Sequence, residues 1–369
     1  MKITKGELEK ALKTVKPALP GKKVFGYSPL YLSFDRLGKA SLYTSDGFTY
    51  KFSVGLGEAG YTPLEGKTFS MIYDELETAL ANFAKESVID IELPDNNHLM
   101  LKGEYVTKII DVSTTETITH ELEPMLSYIT EDFGARLQRA YPFRSVDEGM
   151  GYGVELDIFQ AGKHCWDGVF ATDGFKAFVE REENAYITPV KTVRIPNKGI
   201  VAVKKWGDTE VYLYETYAVF KRDEQTLEVY FGKKTTTWRP LMAHESKELV
   251  DTIEQTPLLV VEMKKFIKIL DPKNKDFVLI AKLNFGMRTM AMYVCEIYNY
   301  GKPAKEMETA AKLSGDGAVR FNPDYLMKVL GCFVNPTIHL TAKDSKSPWF
   351  MRDLSGAVAM LMPMRSEEE

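Results

Sequence analysis

The first candidate for chemistry in this chain of 369 residues is the glycine-rich segment GLGEAG, which begins at Gly55. Its spacing matches the GxGxxG pattern of dinucleotide-binding loops. Those loops require a helix that begins at the third glycine, because the phosphates bind at the helix N-terminus. Here the sequence continues as YTP from Tyr61, and no helical periodicity begins. We therefore interpret the segment as a loop, and an enzyme that binds a dinucleotide there is disfavoured.

The histidines and cysteines lack the spacing of a metal or disulfide site. The sequence HELE at His120 lacks the second histidine of a zinc-binding helix. The remaining histidines are scattered, at His98, His164, His244 and His339. The three cysteines are Cys165, Cys295 and Cys332, a set that is odd in number and typical of a reducing compartment. Walker and GxSxG motifs are also absent from the sequence, so we predict no catalytic residue, metal or cofactor.

Composition indicates a globular protein rather than a disordered or membrane-spanning one. Hydrophobic residues make up 44% of the chain and charged residues 27%, which is ordinary for globular proteins. No run approaches 18 apolar residues, and no signal-peptide pattern begins the chain. We expect a cytoplasmic protein that does not bind membranes. Its length predicts two or three domains.

Basic residues are concentrated in six segments with helical periodicity, although the net charge of the chain is −5. These segments together carry 18 basic and 10 acidic residues. Lysines on one amphipathic helix are usually only its solvated face. Their recurrence on six helices of an acidic protein instead favours a surface that contacts phosphate backbones without reading bases. The residues that we expect to face DNA are Lys10, Lys13, Arg136, Arg139, Lys198, Lys204, Lys205, Lys264, Lys265, Lys268 and Lys328.

A long internal period organises the chain. Phe69, Ile195 and Phe321 follow one another at intervals of 126 residues, and each precedes an amphipathic segment. Pro196 and Pro323 suit the first turn of a helix, where a missing N–H has no cost. The sequence TSDGF at Thr44 returns as ATDGF at Ala171, and Asp-Gly between alternating runs predicts a tight turn.

Each interval has the same order of predicted elements: a helix, strands, a second helix and further strands. In the middle interval, the sequence EVYLYETYAVF from Glu210 is predicted to be the strand that follows the second helix. A period this long exceeds those of solenoids and propellers, so each copy is expected to be a domain with its own core. We predict an α+β fold of three tandem domains, in each of which two helices are backed by antiparallel sheets. The predicted domains are residues 1–122, 123–247 and 248–369.

The repeat, the sequence VRFNPDYLMKVL from Val319 and the ending LMPMR from Leu361 together resemble the beta sliding clamp of bacterial DNA polymerase III. The resemblance covers essentially the whole chain. It implies that three clamp domains per chain, and two chains joined head to tail, form a homodimeric ring around double-stranded DNA. Such a protein is a processivity factor and not an enzyme, and it requires no cofactor.

The resemblance also implies an apolar cleft that binds peptides from partner proteins. Those partners are the replicative DNA polymerase, the clamp loader and other proteins with clamp-binding motifs. The flexible methionine thioether suits a pocket that accepts several partners. Carried onto this sequence, the cleft residues are Thr172, Gly174, Phe175, Lys176, Leu241, Tyr325, Met362, Pro363, Met364 and Arg365.

Two segments depart from the family pattern. Phe175-Lys176-Ala177 stands where the family usually has His-Arg-Leu, and a polar tail, SEEE, follows Arg365. Such divergence suits a clamp of phage or plasmid origin. The alternative from another class of proteins is a triplicated binding scaffold or inhibitor that has the clamp fold and does not encircle DNA.

Overall fold

The computed structural model describes residues 1–21, 26–58, 64, 66–116, 123–145, 153–180, 189–231, 256–269, 277–284, 289–296, 318–341 and 347–363. Within these residues, no helix combines the length and the apolar character that crossing a membrane requires.

The described residues form six α-helices and 24 strands. The helices are α1 (Lys5–Val15), α2 (Tyr73–Leu80), α3 (Phe133–Ala140), α4 (Asn197–Val203), α5 (Val260–Ile269) and α6 (Pro323–Gly331). The first twelve strands are β1 (Lys2–Thr4), β2 (Pro29–Phe34), β3 (Lys39–Ser45), β4 (Tyr50–Glu58), β5 (Lys67–Ile72), β6 (Val88–Glu92), β7 (His98–Lys102), β8 (Thr107–Asp111), β9 (Ser113–Glu116), β10 (Leu126–Thr130), β11 (Val154–Ala161) and β12 (His164–Thr172). The other twelve are β13 (Lys176–Glu180), β14 (Lys191–Ile195), β15 (Thr209–Leu213), β16 (Tyr217–Arg222), β17 (Gln225–Tyr230), β18 (Thr256–Leu259), β19 (Phe277–Asn284), β20 (Thr289–Glu296), β21 (Ala318–Phe321), β22 (Thr337–Thr341), β23 (Trp349–Arg352) and β24 (Ala357–Leu361).

The strands form four sheets. Their orders are β1-β6-β7-β8, then β10-β15-β16-β17-β4-β3-β2-β5-β9, then β14-β11-β12-β13-β24-β23-β22-β18, and finally β20-β19-β21. Neighbouring strands run antiparallel, for example β17 beside β4 and β13 beside β24. This architecture confirms the predicted α+β class with antiparallel sheets.

Helices follow the three anchors of the predicted repeat. Phe69 lies in β5 before α2, Ile195 lies in β14 before α4, and Phe321 lies in β21 before α6. Pro323 is the first residue of α6, as predicted. Pro196 instead occupies the N-cap position, and α4 begins at Asn197.

The N-terminal helix α1 shows why these segments are helical. Glu7 N–H donates to Thr4 Oγ1 at 3.2 Å and Thr4 N–H donates to Glu7 Oε2 at 3.0 Å. This capping box satisfies donors that the first turn of a helix leaves unpaired. Leu8, Leu12 and Val15 recur at helical spacing and are buried. Lys10 and Lys13 lie on the other face of α1 and are exposed.

The chain divides into two compact units. The first comprises residues 1–135, 161–166 and 193–233, and the second comprises residues 136–160, 167–192 and 234–369. Within the first unit, β17 pairs with β4; within the second, β13 pairs with β24. Each of these pairs joins segments from neighbouring predicted repeats into one sheet. The predicted domain boundaries near residues 122 and 247 adjoin or fall in parts outside the described residues and stay predictions.

Two details of the sequence interpretation were wrong. The GLGEAG segment was interpreted as a loop, but its residues Gly55 to Glu58 form the end of β4. A β-bulge between Ala40 and Ser41 lies opposite it. The sequence from Glu210 was interpreted as one strand, but it forms β15 and β16. A turn joins them, in which Tyr214 N–H donates to Tyr217 O at 2.9 Å. The buried residues are Val211 and Leu213 before the turn and Ala218 and Phe220 after it, so the alternation changes phase at the turn.

Candidate functional site

The candidate cleft begins at the turn between β12 and β13, in the second unit. Gly174 has a φ of +88°, which favours glycine because other side chains are strained there. Thr172 Oγ1 accepts from Gly174 N–H at 3.1 Å and donates to Lys176 O at 3.0 Å. Asp173 Oδ1 accepts from the N–H groups of Phe175 and Lys176, both at 3.0 Å. These bonds fix the turn and leave Phe175 60% exposed at its tip.

Lys176 lies beneath this turn rather than on its surface. Only 3% of the residue is exposed. Its ammonium group forms an ion pair with Asp173 Oδ2 and lies 4.8 Å from the ring centroid of Tyr325. Burial lowers the pKa of Lys176, whereas the Asp173 carboxylate acts in the opposite direction. The side chain therefore supports the wall of the cleft and is poorly placed to meet a ligand directly.

The C-terminal strand β24 supplies the second wall. In its pairing with β13, Leu361 lies opposite Lys176. Met362 N–H continues the pairing beyond β24 by donating to Phe175 O at 2.8 Å. The Met362 side chain is partly buried against a cluster of Phe170, Ala177, Val179, Phe350 and Met360. Met362 is thus partly buried against the core and partly exposed to solvent, as expected for a residue that lines a binding cleft.

Tyr325 on α6 completes the described part of the cleft. Asn322 caps α6 by accepting from Asp324 N–H at 2.9 Å and from Tyr325 N–H at 3.4 Å. The Tyr325 ring lies 6.2 Å from the Phe175 ring, centroid to centroid. Lys328 Nζ lies 5.8 Å from the same Tyr325 ring and pairs with Asp324 at 2.6 Å. The outcome is an aromatic surface bordered by an exposed cation.

The structure brings together most of the predicted cleft. Contacts link Thr172, Gly174, Phe175, Lys176, Tyr325 and Met362 in the second unit, and Pro363 follows Met362 with part of its surface exposed. The predicted residues Leu241, Met364 and Arg365 lie outside the described residues. The sequence interpretation missed Asp173, which organises the turn. Its place between Thr172 and Gly174 in a repeated Asp-Gly motif was the available signal.

Several predicted DNA-facing lysines are solvent-exposed. On α1 they are Lys10 and Lys13, and at or just after α4 they are Lys198, Lys204 and Lys205. Lys265 and Lys328 are exposed on α5 and α6, Lys264 is partly exposed, and the side chain of Lys268 lies outside what the structure describes. In the first unit α1 contacts α2, and the 3₁₀ turn after α1 contacts α4. Lysines of α1 and α4 therefore belong to neighbouring elements.

The two predicted arginines have partners inside the protein. Arg136 pairs with the nearly buried carboxylate of Asp167 and donates through Nη2 to Asp167 O at 3.0 Å. Arg139 forms a forked pair with Glu180, with Nε to Oε2 at 3.0 Å. Such pairing satisfies the guanidinium groups within the fold. These two arginines are therefore less available to a ligand than the exposed lysines.

The described residues contain no group of three or more His, Cys, Asp and Glu side chains arranged to hold a metal ion.

Comparison with known proteins identifies the fold. No family model and no curated protein matches the sequence. Among solved structures, the DNA polymerase III subunit beta from Pseudomonas aeruginosa is 17% identical, with a TM-score of 0.70 over 99% of both chains. The DNA polymerase sliding clamp from Caulobacter crescentus is 14% identical, with a TM-score of 0.71 over 99% of both chains. A sliding clamp from Pseudomonas aeruginosa bound to griselimycin is 15% identical, with a TM-score of 0.68 and the same coverage.

The chain therefore has a sliding-clamp fold. More particularly, it has the fold of the beta subunits of bacterial DNA polymerase III, across its whole length. The resemblance inferred from the sequence is confirmed at the level of the fold.

Proposed function

We propose that this protein is a DNA sliding clamp, a processivity factor that encircles duplex DNA as a homodimeric ring. The observation that carries the proposal is the match of the whole chain to DNA polymerase III beta subunits, with 99% of both chains covered. In this proposal the protein is not an enzyme. It tethers the replicative polymerase, the clamp loader and other partners through the cleft between the Thr172 turn and Met362.

Exposed lysines support contact with the phosphate backbone. Lys10, Lys13, Lys198, Lys204 and Lys205 project from neighbouring helical elements of the first unit. Contacts of this kind carry no sequence information and release counterions from DNA. They hold duplex DNA loosely enough for the protein to move along it while the closed ring prevents escape.

Reversing the charge of Lys204 and Lys205 together should weaken loading on DNA without unfolding the protein. Both side chains are exposed, and exposed substitutions usually change stability little. Each lost phosphate contact lowers the salt dependence of binding by about 1, so the double Lys→Glu variant should lower it by about 2. The measurement is binding to linear duplex DNA, on which the ring is not trapped, as a function of salt concentration.

A matched control for this experiment reverses Lys39 and Lys102, which are exposed lysines on strands β3 and β7. It changes the net charge equally, away from the helices. Equal losses in the two double variants would mean that only the net charge matters, and that the helices do not form the DNA-facing surface.

An edge strand of the first unit supports the proposed dimer. β8 is the last strand of its four-stranded sheet. Ile109 in its centre is 62% exposed, and a groove lined by Asp74, Glu75 and Thr78 of α2 runs beside it. An edge strand is a template for pairing with another chain, and Ile109 adds an exposed apolar side chain at its centre. We propose that the third predicted domain of a second copy occupies it, because head-to-tail joining of unlike ends closes a ring.

The native particle should therefore have about twice the chain mass of 41.8 kDa at micromolar concentration. Ile109→Glu should shift it toward the monomer, because a charge at the centre of a pairing edge must be desolvated on association. Ile129→Glu is the matched control, since Ile129 is 67% exposed on β10 at the edge of another sheet. Sedimentation equilibrium distinguishes the outcomes. A strictly monomeric wild type, or dissociation of both variants to the same extent, would contradict the proposed interface.

A further inference from the structure

The outer face of the nine-stranded sheet carries a row of tyrosines that the proposed clamp function does not use. We define the tyrosine stripe as Tyr31, Tyr43, Tyr214, Tyr217 and Tyr230. The residues lie on or beside β2, β3, β15, β16 and β17, all in the first unit. Tyr230 is 37% exposed and the other four are partly exposed.

Strand register places these residues on one face. Tyr31 lies opposite Tyr43, and Tyr217 lies opposite Tyr230. Between the two pairs, Lys51 on β4 lies opposite Glu228 on β17. Alternate residues of the same strands point the other way, and Leu32, Leu42 and Phe52 are buried in the core. The stripe is therefore on the side of the sheet opposite to the core, so packing of that core does not explain it.

The rings are held in fixed positions. Tyr31 and Tyr43 stack with centroids 4.7 Å apart at 9°, and Tyr214 and Tyr217 stack at 4.5 Å and 11°. Tyr217 and Tyr230 rings lie 6.0 Å apart. Tyr230 OH donates to Glu228 Oε2 at 3.1 Å. A partner meets a rigid aromatic surface, so little conformational entropy is lost on binding.

The hydroxyls of Tyr43, Tyr217 and Tyr230 stay neutral under physiological conditions. Burial and the neighbouring ring of Tyr31 raise the pKa of Tyr43 to about 12. Burial and the Glu228 carboxylate raise the pKa of Tyr230, and burial together with Tyr214 raises that of Tyr217. These three residues therefore present ring faces and neutral hydroxyl groups, not phenolate charge.

Charge along the stripe is balanced in the middle and acidic at one end. Lys51 Nζ pairs with Glu228 Oε1 at 2.8 Å and lies 4.9 Å from the Tyr43 ring centroid. At the β15 end, Glu210 accepts from Tyr212 OH at 2.8 Å, and Glu215 is exposed. Lys221, which is exposed on the same face of β16, lies opposite Glu210, as Lys51 lies opposite Glu228. The described part of this face therefore has no row of cations without facing glutamates, unlike single-strand-binding surfaces. A ligand that is neutral along its length and basic at one end fits better.

The shape of the stripe requires an extended ligand. It crosses six neighbouring strands, from β2 to β15. Five strand separations of about 4.8 Å give a width of roughly 24 Å. A polyproline II segment rises about 3.1 Å per residue, so about eight residues span that distance. Aromatic grooves bind such segments well because the segment is already extended and loses little entropy.

We propose that the tyrosine stripe is a second docking surface, distinct from the cleft, that binds a proline-rich segment in the polyproline II conformation with a basic residue at one end. This proposal concerns a different surface from the cleft and does not depend on ring formation. It gives the protein a second means of holding a partner, on a sheet face remote in sequence from Met362.

The test uses the full-length protein and the synthetic probe Ac-Pro-Pro-Leu-Pro-Pro-Leu-Pro-Pro-Arg-Arg-NH2 in isothermal titration. The wild type should bind it saturably, and the same peptide with alanine at every proline should bind at least tenfold more weakly. Tyr217→Ser and Tyr230→Ser should each weaken binding at least tenfold. The Tyr217→Phe and Tyr230→Phe variants keep the rings and should retain most of the affinity. Tyr105→Ser, at a residue 88% exposed elsewhere in the first unit, should have no effect.

Three results would overturn the proposal. The first is the absence of saturable binding of the probe to folded wild-type protein. The second is equal affinity of the wild type and the two serine variants, with circular dichroism confirming that these are folded. The third is stripe-dependent binding of oligo(dT) or cellohexaose in place of the peptide. A cleft-binding peptide should not compete with the probe, so failure here is distinguishable from failure of the clamp proposal.

Discussion

Replacing Met362 with alanine should weaken binding of a partner peptide roughly thirtyfold or more and leave the oligomeric state unchanged. The peptide in question has a glutamine and two hydrophobic anchors, the type that clamp-binding proteins carry. Met362 N–H bonds to Phe175 O, and this main-chain bond survives in the variant. The substitution removes the Met362 side chain beyond Cβ. That part packs against the cluster of Phe170 and Met360, and in our proposal it also contacts the peptide.

The expected loss of affinity is large because the pocket depends on few side chains. Truncating an anchor at the centre of a binding site commonly costs about 2 kcal/mol or more, whereas contacts at the rim cost little. Loss of about 2 kcal/mol corresponds to roughly thirtyfold weaker binding. Pro363 fixes the backbone next to Met362, so the methionine side chain is aimed before the peptide arrives.

Isothermal titration of one such peptide against both proteins decides the matter. Met125→Ala is the matched control, because Met125 is 71% exposed and belongs to the first unit, whereas the cleft residues belong to the second. It should bind the peptide like the wild type. Unchanged affinity for Met362→Ala would mean that Met362 serves only the core and that the partner site is elsewhere.

The exposed ring of Phe175 is expected to alter which peptides fit. It stands where the resembling family usually has histidine, and its ring lies 6.2 Å from that of Tyr325. The two rings form one aromatic wall at the mouth of the cleft. A peptide side chain there meets an apolar surface in place of an imidazole, so the preferred residue beside the anchors should be more apolar.

Local chemistry made most helices predictable. The capping residues Thr4 and Asn322, with apolar residues at helical spacing after them, define α1 and α6. The period of 126 residues between Phe69, Ile195 and Phe321 then places the second helix of each repeat. These signals involve residues that are close together in the sequence, so they can be recognised without knowing the fold.

Long-range pairing was not predictable in the same way. The pairing of β17 with β4 joins Leu227 to Phe52, and no local pattern specifies which two edges meet. The tyrosine stripe depends on that pairing, because it brings Tyr230 and Tyr43 onto one face. In the cleft, the repeated Asp-Gly motif located the turn. Burial of Lys176 beneath Tyr325 follows from the packing of α6 and carries no signal in the sequence.

Basic residues show the same limit. Lys204 and Arg139 were both predicted to face DNA, on the basis of their position in a helical segment and their charge. Lys204 is exposed, whereas Arg139 pairs with Glu180 on β13. Which cation is neutralised depends on an acidic residue 41 positions away along the chain. Charge counts therefore predict a basic surface better than they predict its individual members.

Retention on DNA should depend on the topology of the DNA. When a clamp loader places the protein on nicked circular duplex, it should remain bound through gel filtration. When the same circle is linearised, the protein should leave through the ends. A closed ring leaves circular DNA only by opening, whereas electrostatic contacts through exposed lysines are individually weak and exchange rapidly.

The difference in retention between circular and linear DNA is the largest effect that the proposal predicts, because the ring is trapped on the circle and can leave the linear form through its ends. Salt separates the two contributions. Raising salt should weaken lysine contacts steeply, since each neutralised phosphate lowers the logarithm of affinity in proportion to the logarithm of salt concentration. Retention on the circle should survive that change until the dimer itself dissociates. Ile109→Glu, which opens the proposed interface, should lose retention on both forms of DNA.

A scaffold with the clamp fold that does not encircle DNA gives the opposite result. It should bind circular and linear duplex equally, or neither, and its binding should fall with salt in the same way on both. Equal retention accompanied by a preference for particular base sequences would exclude sliding altogether, because backbone contacts carry no sequence information. A protein that remains on the circle and leaves the line, at a salt concentration that removes simple electrostatic binding, is held by the closure of its own ring.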